Sequence, residues 1–174
     1  RIHDRIHNQS VDRSPLMFVY HCNPGFPILD EGSRVVVNSE KTTEWLEDQV
    51  VGPEAYASAT SPVPEAHDDV YVHRPAADAD GNAHVALIND RLALGIYWTF
   101  PQSEMPLISN WRHFHRGTYV MGIEPGNVSM LGRAWNRQNG YLQHIEPDEI
   151  REFHMEIGIL EGVEEIKAFE AKVG

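Results

Sequence analysis

The stretch DDVYVHRPAADADGNAHVALINDRLALGIYWTF, residues 68–100, decides the fold class. DVYVH, HVALI and RLALGIYWTF are rich in β-branched and aromatic residues, which are typical of strands. ADADGN and the Asn89-Asp90 step separate them and have the composition of tight turns. The stretch therefore predicts three successive antiparallel strands in a meander.

The same alternation continues on both sides of this stretch and predicts more strands. They are IHDRIH (2–7), LMFVYHC (Leu16–Cys22), RVVVN (Arg34–Asn38), PLISNWRHF (106–114), TYVMGIE (118–124) and IREFHMEIGIL (Ile150–Leu160). Lys41–Val50 fits one helical turn or a loop, residues 127–140 read as irregular, and VEEIKAFEAKV (163–173) has the spacing of a short C-terminal helix. We predict an all-β antiparallel sandwich or barrel. A nucleotide-binding fold is not expected, because βαβ units, GxGxxG and a P-loop lysine are missing.

Composition narrows the functional classes. The 174 residues suffice for one domain with a core. With 26 acidic and 14 basic side chains, the net charge is −12, which argues against nucleic acid and anionic membranes as partners. The single cysteine rules out an intrachain disulfide. Since no signal peptide or apolar run of about 20 residues is seen, we expect a cytoplasmic protein. Because the chain starts at Arg1, inside an expected strand, we also expect it to be part of a longer polypeptide.

The first candidate for chemistry lies in YVMGIEPGN, Tyr119–Asn127, where an apolar strand ends in one acid, Glu124, before a Pro-Gly break. Alternation places Gly122 on the same face, where a missing side chain leaves room beside the carboxylate. A carboxylate at a strand end beside a gap suits a general base. The alternative is a glutamate that caps the next turn or pairs with a nearby arginine.

The second candidate is His21, which ends the expected strand Leu16–Cys22 before the turn Asn23–Gly25. An imidazole can donate a proton near neutral pH without large tuning, so His21 is a candidate general acid. The alternative is a histidine that only hydrogen-bonds backbone groups in a turn. Cys22 has no CxxC partner and alternates away from His21, so a thiol nucleophile is not predicted.

Further candidates concern substrate binding. Asp68 and Asp69 start a strand, where a carboxylate could accept hydrogen bonds from sugar hydroxyls, unless both belong to a solvated turn. Trp111, Arg112 and Asn127 complete the substrate-binding candidates. A tryptophan can stack on a sugar face, although core packing is its commoner role.

A metal site is the weaker possibility. His113 and His115 share a strand face, which could suit a metal in a cupin-like site, but HExxH is missing and the pair could equally be an exposed edge. We therefore predict neither a metal nor a cofactor.

Three segments resemble a known family: PLMFVYHCNPGFPILDEG (15–32), TYVMGIEPGN (118–127) and LGRAWNRQNGYLQHIEPDEIREFHMEIGIL (131–160). They are similar to the C-terminal half of the aldose 1-epimerase-like proteins of DUF4432, in the galactose mutarotase-like superfamily. The resemblance spans roughly residues 2–162 and implies a β-supersandwich. On this basis residues 1–174 are one domain, the C-terminal part of a larger supersandwich.

The resemblance also implies roles. His21 is similar in position to the general acid on the sugar ring oxygen, and Glu124 to the base on the anomeric hydroxyl. Asp68 matches the aspartate that binds sugar hydroxyls, with Asp69 as the alternative alignment. Around His21 the motif departs from true galactose mutarotases, because Pro24-Gly25 replaces Tyr-Phe character, so the hexose stays open.

The implied function is an aldose 1-epimerase-like isomerase that interconverts the anomers of a small sugar. An N-terminal half would supply a further arginine and histidine, and a homo-oligomer is an open alternative. Two other functions stay open as well. One is a non-catalytic carbohydrate-binding protein on the same fold, and the other is a metal-dependent sugar isomerase or lyase that uses His113 and His115.

Overall fold

The computed structural model describes residues 1–44 and 52–174, which form a β-sandwich with two short α-helices. In chain order the elements are β1 Ile2–His7, β2 Ser14–Leu16, β3 Arg34–Val37, β4 Ser39–Glu44, a 3₁₀ helix Pro53–Ala57, β5 Asp68–Pro75, β6 Asn82–Asn89, β7 Leu94–Pro101, β8 Leu107–His115, β9 Thr118–Gly126, α1 Gly132–Gln138, β10 Gln143–Ile145, β11 Ile150–Glu161 and α2 Gly162–Val173. No helix in the described ranges is long and apolar enough to cross a membrane.

Two antiparallel sheets make the sandwich. One has the order β1-β11-β7-β6-β3, the other has the order β4-β5-β8-β9, and β10 pairs with β2 in a small separate ladder. Side chains from the inner faces of both sheets form the main core, as alternation along each strand requires. The all-β antiparallel sandwich and the short C-terminal helix are therefore confirmed.

The five-stranded sheet is covered on both faces where α2 packs on it, over β6 and β7, whereas the outer face of β1 and of the facing part of β11 is exposed. Its inner face contributes Val85, Leu87 and Trp98 to the main core, while α2 packs Ile166 and Phe169 onto its outer face. Because both faces are covered, HVALI is a continuous apolar run instead of an alternating one. The outer face of the four-stranded sheet carries the candidate site at its β8–β9 end.

The predicted meander is half right. β6 and β7 pair as the Asn89-Asp90 turn predicts, but β5 pairs with β4 and β8 in the other sheet. Pro75 ends β5, and Asp78 then organises the connection by accepting the backbone N–H groups of Asp80 and Asn82. The ADADGN segment thus connects β5 in one sheet to β6 in the other. Its turn-forming residues indicate a change of direction but not which sheet the next strand joins.

The predicted strand Leu16–Cys22 is wrong in detail. Only Ser14–Leu16 is a regular strand, and the chain then touches β9 through separate bridges at Val19, Cys22 and Gly25. The physical reason lies in Asn127, whose side chain takes the backbone hydrogen bonds of Leu16 and Phe18 that a ladder partner would otherwise make.

Two other segments also differ from expectation. Residues 132–138 form α1 instead of an irregular stretch, because buried Asn136 donates to the backbone oxygens of Ser129 and Gly132 and so holds the helix in place. Of the predicted helical turn or loop at Lys41–Val50, residues 41–44 belong to β4, as the β-branched pair Thr42-Thr43 favours, and 45–50 lie outside the described residues.

Candidate active site

The position of His21 follows from how its segment approaches β9. Val19 bridges Gly126 and Cys22 bridges Ile123, both antiparallel and in one register, which places His21 opposite Glu124. Gly126 permits the approach: a Cβ there would lie 2.8 Å from the backbone oxygen of Phe18. Gly126 thus allows the segment that carries His21 to pack closely on β9. This packing brings the His21 imidazole next to the Glu124 carboxylate.

Glu124 is fully buried at this junction. Its side chain is 0 % exposed, and a Cβ on Gly122 would stand 2.4 Å from its Oε1 atom. The carboxylate therefore folds back over the glycine and occupies the place of the missing side chain. The sequence predicts an empty space beside Glu124, because Gly122 on the same face has no side chain. In the structure the Glu124 carboxylate itself occupies that space.

The two candidate catalytic groups are in contact. Nε2 of His21 lies 3.2 Å from Oε1 of Glu124, and the His21 side chain is 53 % exposed. The contact lacks hydrogen-bond geometry, so neither carboxylate oxygen has a hydrogen-bond partner within residues 1–44 and 52–174. The contact becomes an ion pair only when His21 is protonated and Glu124 is ionised.

Burial sets the protonation behaviour of Glu124. Loss of water around the carboxyl raises its pKa above the ordinary 4.5, and the nearby His21 charge opposes this rise only in part. A carboxylate with a raised pKa is a stronger base than an exposed one, and strength as a base is what proton abstraction near neutral pH needs.

A row of aromatic and imidazole rings continues from this pair along the outer face of the four-stranded sheet. Trp111 packs edge-on against His21 with ring centroids 6.3 Å apart, and His113 lies 5.8 Å from Trp111. Asp68 fixes both rings, since its Oδ1 accepts the indole N–H at 3.1 Å and contacts Nδ1 of His113 at 2.6 Å. The structure therefore brings Asp68 and Trp111 to the same face as Glu124 and His21.

Two predicted substrate-binding residues face the other way. Asp69 and Arg112 are cross-strand partners on the inner face, and both line a separate cavity of about 450 Å³ near the 3₁₀ helix. Arg112 donates from Nη2 to the Ser58 backbone oxygen and packs over the Phe114 ring. Period-two alternation separates Asp68 from Asp69 and Trp111 from Arg112, and that signal is legible in the sequence.

Asn127 also lies outside the open face. It is fully buried, its Oδ1 accepts the Phe18 N–H at 2.7 Å, and its Nδ2 donates to the Leu16 oxygen at 3.0 Å. Its amide thus holds the segment that carries His21. Reasoning from sequence does not find this supporting role, because the partners are over 100 positions away.

His113 and His115 share a face, as alternation predicts, with stacked rings 5.9 Å apart. Asp68 contacts His113, but within the described residues Asp68, His113 and His115 do not converge as a group of three potential metal ligands. His113 and His115 follow Trp111 in the row of rings that begins at His21, so they belong to the surface beside the candidate site.

The comparisons with known proteins identify the family and the fold of this chain. A family model described as a domain of unknown function, DUF4432, matches residues 1–159. The chain belongs to the DUF4432 family. The matched residues include both Glu124 and His21. No curated protein matches the chain.

Two solved structures share the fold of this DUF4432 chain. A putative aldose 1-epimerase from Klebsiella pneumoniae subsp. pneumoniae aligns with a TM-score of 0.92 at 22 % identity, over 98 % of this chain and 45 % of that protein. A galactose mutarotase-like protein from Clostridium acetobutylicum aligns with a TM-score of 0.59 at 16 % identity, over 90 % of this chain and 51 % of that protein. The chain therefore spans about half the length of these structures, and at such identities the likeness establishes the mutarotase-like fold.

Proposed function

We propose that this protein is an aldose 1-epimerase, which interconverts the α and β anomers of a small sugar. The observation that carries the proposal is the buried Glu124 carboxylate, without a hydrogen-bond donor from the described residues and 3.2 Å from the half-exposed imidazole of His21. A buried base in contact with a half-exposed acid suits a reaction that moves two protons on one small molecule.

The chemistry of ring opening explains why the pair is close. The anomeric oxygen and the ring oxygen are bonded to the same carbon, C1. Glu124 takes the proton of the anomeric hydroxyl, while protonated His21 gives a proton to the ring oxygen. The bond between C1 and the ring oxygen breaks, and the C1 carbonyl forms. These two transfers leave Glu124 protonated and His21 neutral.

The reverse transfers close the ring. The open aldehyde rotates about the C1–C2 bond and presents its other face to the ring hydroxyl. His21 then takes the proton of that hydroxyl, and Glu124 returns a proton to the carbonyl oxygen as the new anomeric hydroxyl forms. Protons balance over the cycle, and a covalent link to the protein is not needed.

We propose that the sugar binds on the rings of Trp111 and His113, beside Glu124 and His21. Trp111 offers an aromatic face, held by its N–H bond to Asp68, and sugar rings pack on such faces. Asp68 is half exposed and retains oxygen capacity for sugar hydroxyls. Because the aligned structures are about twice as long as this chain, we further propose that an N-terminal half of the same fold supplies the remaining sugar contacts.

The test of the proposal is NMR exchange spectroscopy on a panel of aldoses, with and without the protein. We expect faster α-to-β exchange on at least one sugar. In Glu124→Gln this acceleration should fall by about 10²–10⁴-fold, the range for one general acid or base. Glu164→Gln, a change at an exposed glutamate on α2, is the matched control and should keep the full rate.

The second candidate function is sugar binding without catalysis, which the Trp111 and Asp68 contact favours because it would work without His21. Saturable sugar binding with no acceleration on any aldose would support this candidate and reject the epimerase. Acceleration that survives in Glu124→Gln would instead keep the epimerase and reject our assignment of its base.

A further inference from the structure

A cluster of metal-ligating side chains lies on the other sheet, away from Glu124. In the β1–β11 pair, His3 stands opposite His154, and Arg5 stands opposite Glu152. Their neighbours Ile2, Phe153 and Met155 point into the core, so these polar side chains share the outer face. His3, Glu152 and His154 each keep nearly half of their side-chain surface exposed.

The three side chains converge. One ligand atom from each of His3, Glu152 and His154 lies within 4.8 Å of the other two. The imidazoles stack with centroids 4.2 Å apart, and Nε2 of His3 is 3.6 Å from Oε2 of Glu152. Ligand bonds to zinc are about 2.0–2.2 Å long, so small rotations of exposed side chains would close these atoms around one ion.

Glu104 holds one of the three potential ligands, His154, in place. Oε1 of Glu104 contacts Nδ1 of His154 at 2.9 Å, while its Oε2 accepts the His154 backbone N–H at 2.7 Å. With Nδ1–H directed at a carboxylate, Nε2 of His154 keeps its lone pair for an ion. A carboxylate behind a ligating histidine is the usual second layer of metal sites.

The charge and the space around His3, Glu152 and His154 would also allow a metal ion to bind. Arg5 contacts Oε1 of Glu152 at 3.1 Å and leaves Oε2 toward His3, and Arg1 is paired with Glu156. Both nearby guanidinium groups are thus balanced by carboxylates. The two histidines line an open cavity of about 470 Å³, which gives room for water on a bound ion.

We propose that His3, Glu152 and His154 form a site for a first-row divalent transition metal ion such as Zn²⁺. Two imidazoles with one carboxylate suit such ions, whereas Mg²⁺ and Ca²⁺ prefer oxygen ligands. Since the ligands come from β1 and β11, the ion would tie the edge strand to its neighbour. Among the residues that the structure describes, this is the single group of three such side chains with this convergence.

The experiment is isothermal titration of the metal-free, tag-free protein with Zn²⁺. We expect one ion per chain, and at least tenfold weaker binding in His154→Gln and in His3→Gln. Glu104→Gln should weaken binding by about 10–100-fold although it removes no ligand, the range for such supporting groups. His7→Gln is the matched control, because His7 lies on the same strand but pairs with Asp148, and its affinity should match the unchanged protein.

A Co²⁺ absorption spectrum gives a second readout that needs no enzyme activity. We expect d–d bands with the unchanged protein and with His7→Gln, and their loss in His154→Gln, with circular dichroism to verify that the variant is folded. The proposal is overturned if the unchanged protein binds no Zn²⁺, or if binding survives in His154→Gln. Loss of binding in His113→Gln, with His154→Gln unaffected, would move the site to the His113 and His115 pair.

Discussion

Gly122 and Glu124 pack against each other on the outer face of β9. A methyl group on Gly122 would stand 2.4 Å from Oε1 of Glu124, 3.1 Å from its Cδ and 3.2 Å from Cβ of Trp111. The carboxylate is the group with freedom to move, so added bulk pushes it away from His21. The glycine thereby determines where the Glu124 carboxylate lies.

Gly122→Ala should therefore lower anomer exchange by about 10²-fold, since a displacement of about 1 Å in a catalytic group can have that effect. NMR exchange measures the rate, and circular dichroism verifies the fold. Gly25→Ala is the control in the same neighbourhood, because a Cβ there meets only an ordinary contact at 3.7 Å. Equal rates for both variants would contradict this reading of Gly122.

Burial of Glu124 also predicts how stability depends on pH. Because its folded pKa lies above the ordinary 4.5, the folded state binds more protons than the unfolded state between these two values. The free energy of unfolding then falls as pH rises through this window. Glu124→Gln does not titrate, so the stability of the variant relative to the unchanged protein should increase as pH rises through this window.

Chemical denaturation of both proteins from about pH 4 to pH 8 measures this difference. Glu164→Gln, whose side chain is largely exposed, should show no comparable trend. A constant difference between Glu124→Gln and the unchanged protein over the whole range would mean that the folded pKa of Glu124 is not raised.

At the scale of elements, the segment 17–25 depends on one amide. The Oδ1 atom of Asn127 accepts the Phe18 N–H, and its Nδ2 donates to the Leu16 oxygen. Asn127→Ala removes both hydrogen bonds, so it should destabilise the protein by about 1–3 kcal/mol and lower the exchange rate by loosening the segment that carries His21.

Denaturation and NMR exchange on the same Asn127→Ala sample test this prediction. Asn139→Ala is the control, because that exposed amide donates only to the Trp135 oxygen within its own helix end. A variant with unchanged stability and a raised KM alone would return Asn127 to the group of direct substrate contacts.

These elements also define how far the sequence predicts the structure. Local patterns suffice for the β6–β7 hairpin, for α2 and for most of β9, which carries Glu124. They do not suffice for the crossover after β5, because Pro75 and an Asp-Gly turn say where a strand ends and not which sheet follows. α1 is likewise hidden, since buried Asn136 replaces the end-capping residues that usually mark a helix.

Candidate site residues follow the same division. Glu124, His21, Asp68 and Trp111 meet on one face because strand alternation and one bridge register put them there. Asp69 and Arg112 are adjacent to members of that set in sequence and therefore lie on the opposite face. The role of Asn127 depends on contacts over 100 positions apart, which no local pattern encodes.

At the scale of the whole molecule, α2 completes the sandwich from outside. It lies beyond residue 159, where the family match ends, yet it buries apolar surface of the five-stranded sheet. Phe169 is the main contact, with ring centroids 5.1 Å from Tyr97 and 5.9 Å from His84. Without α2, the sheet would expose Ile88 and Leu160 to water.

Phe169→Ala should therefore destabilise the protein by about 3–5 kcal/mol, the usual cost of removing a buried phenylalanine ring. Val163→Ala, on the exposed side of the same helix, should change stability by less than about 0.5 kcal/mol. Chemical denaturation measures both. Because α2 packs on the sheet opposite the candidate site, folded Phe169→Ala should keep its anomer exchange rate. A large loss of rate in the folded variant would mean that the two sheets are coupled through the core.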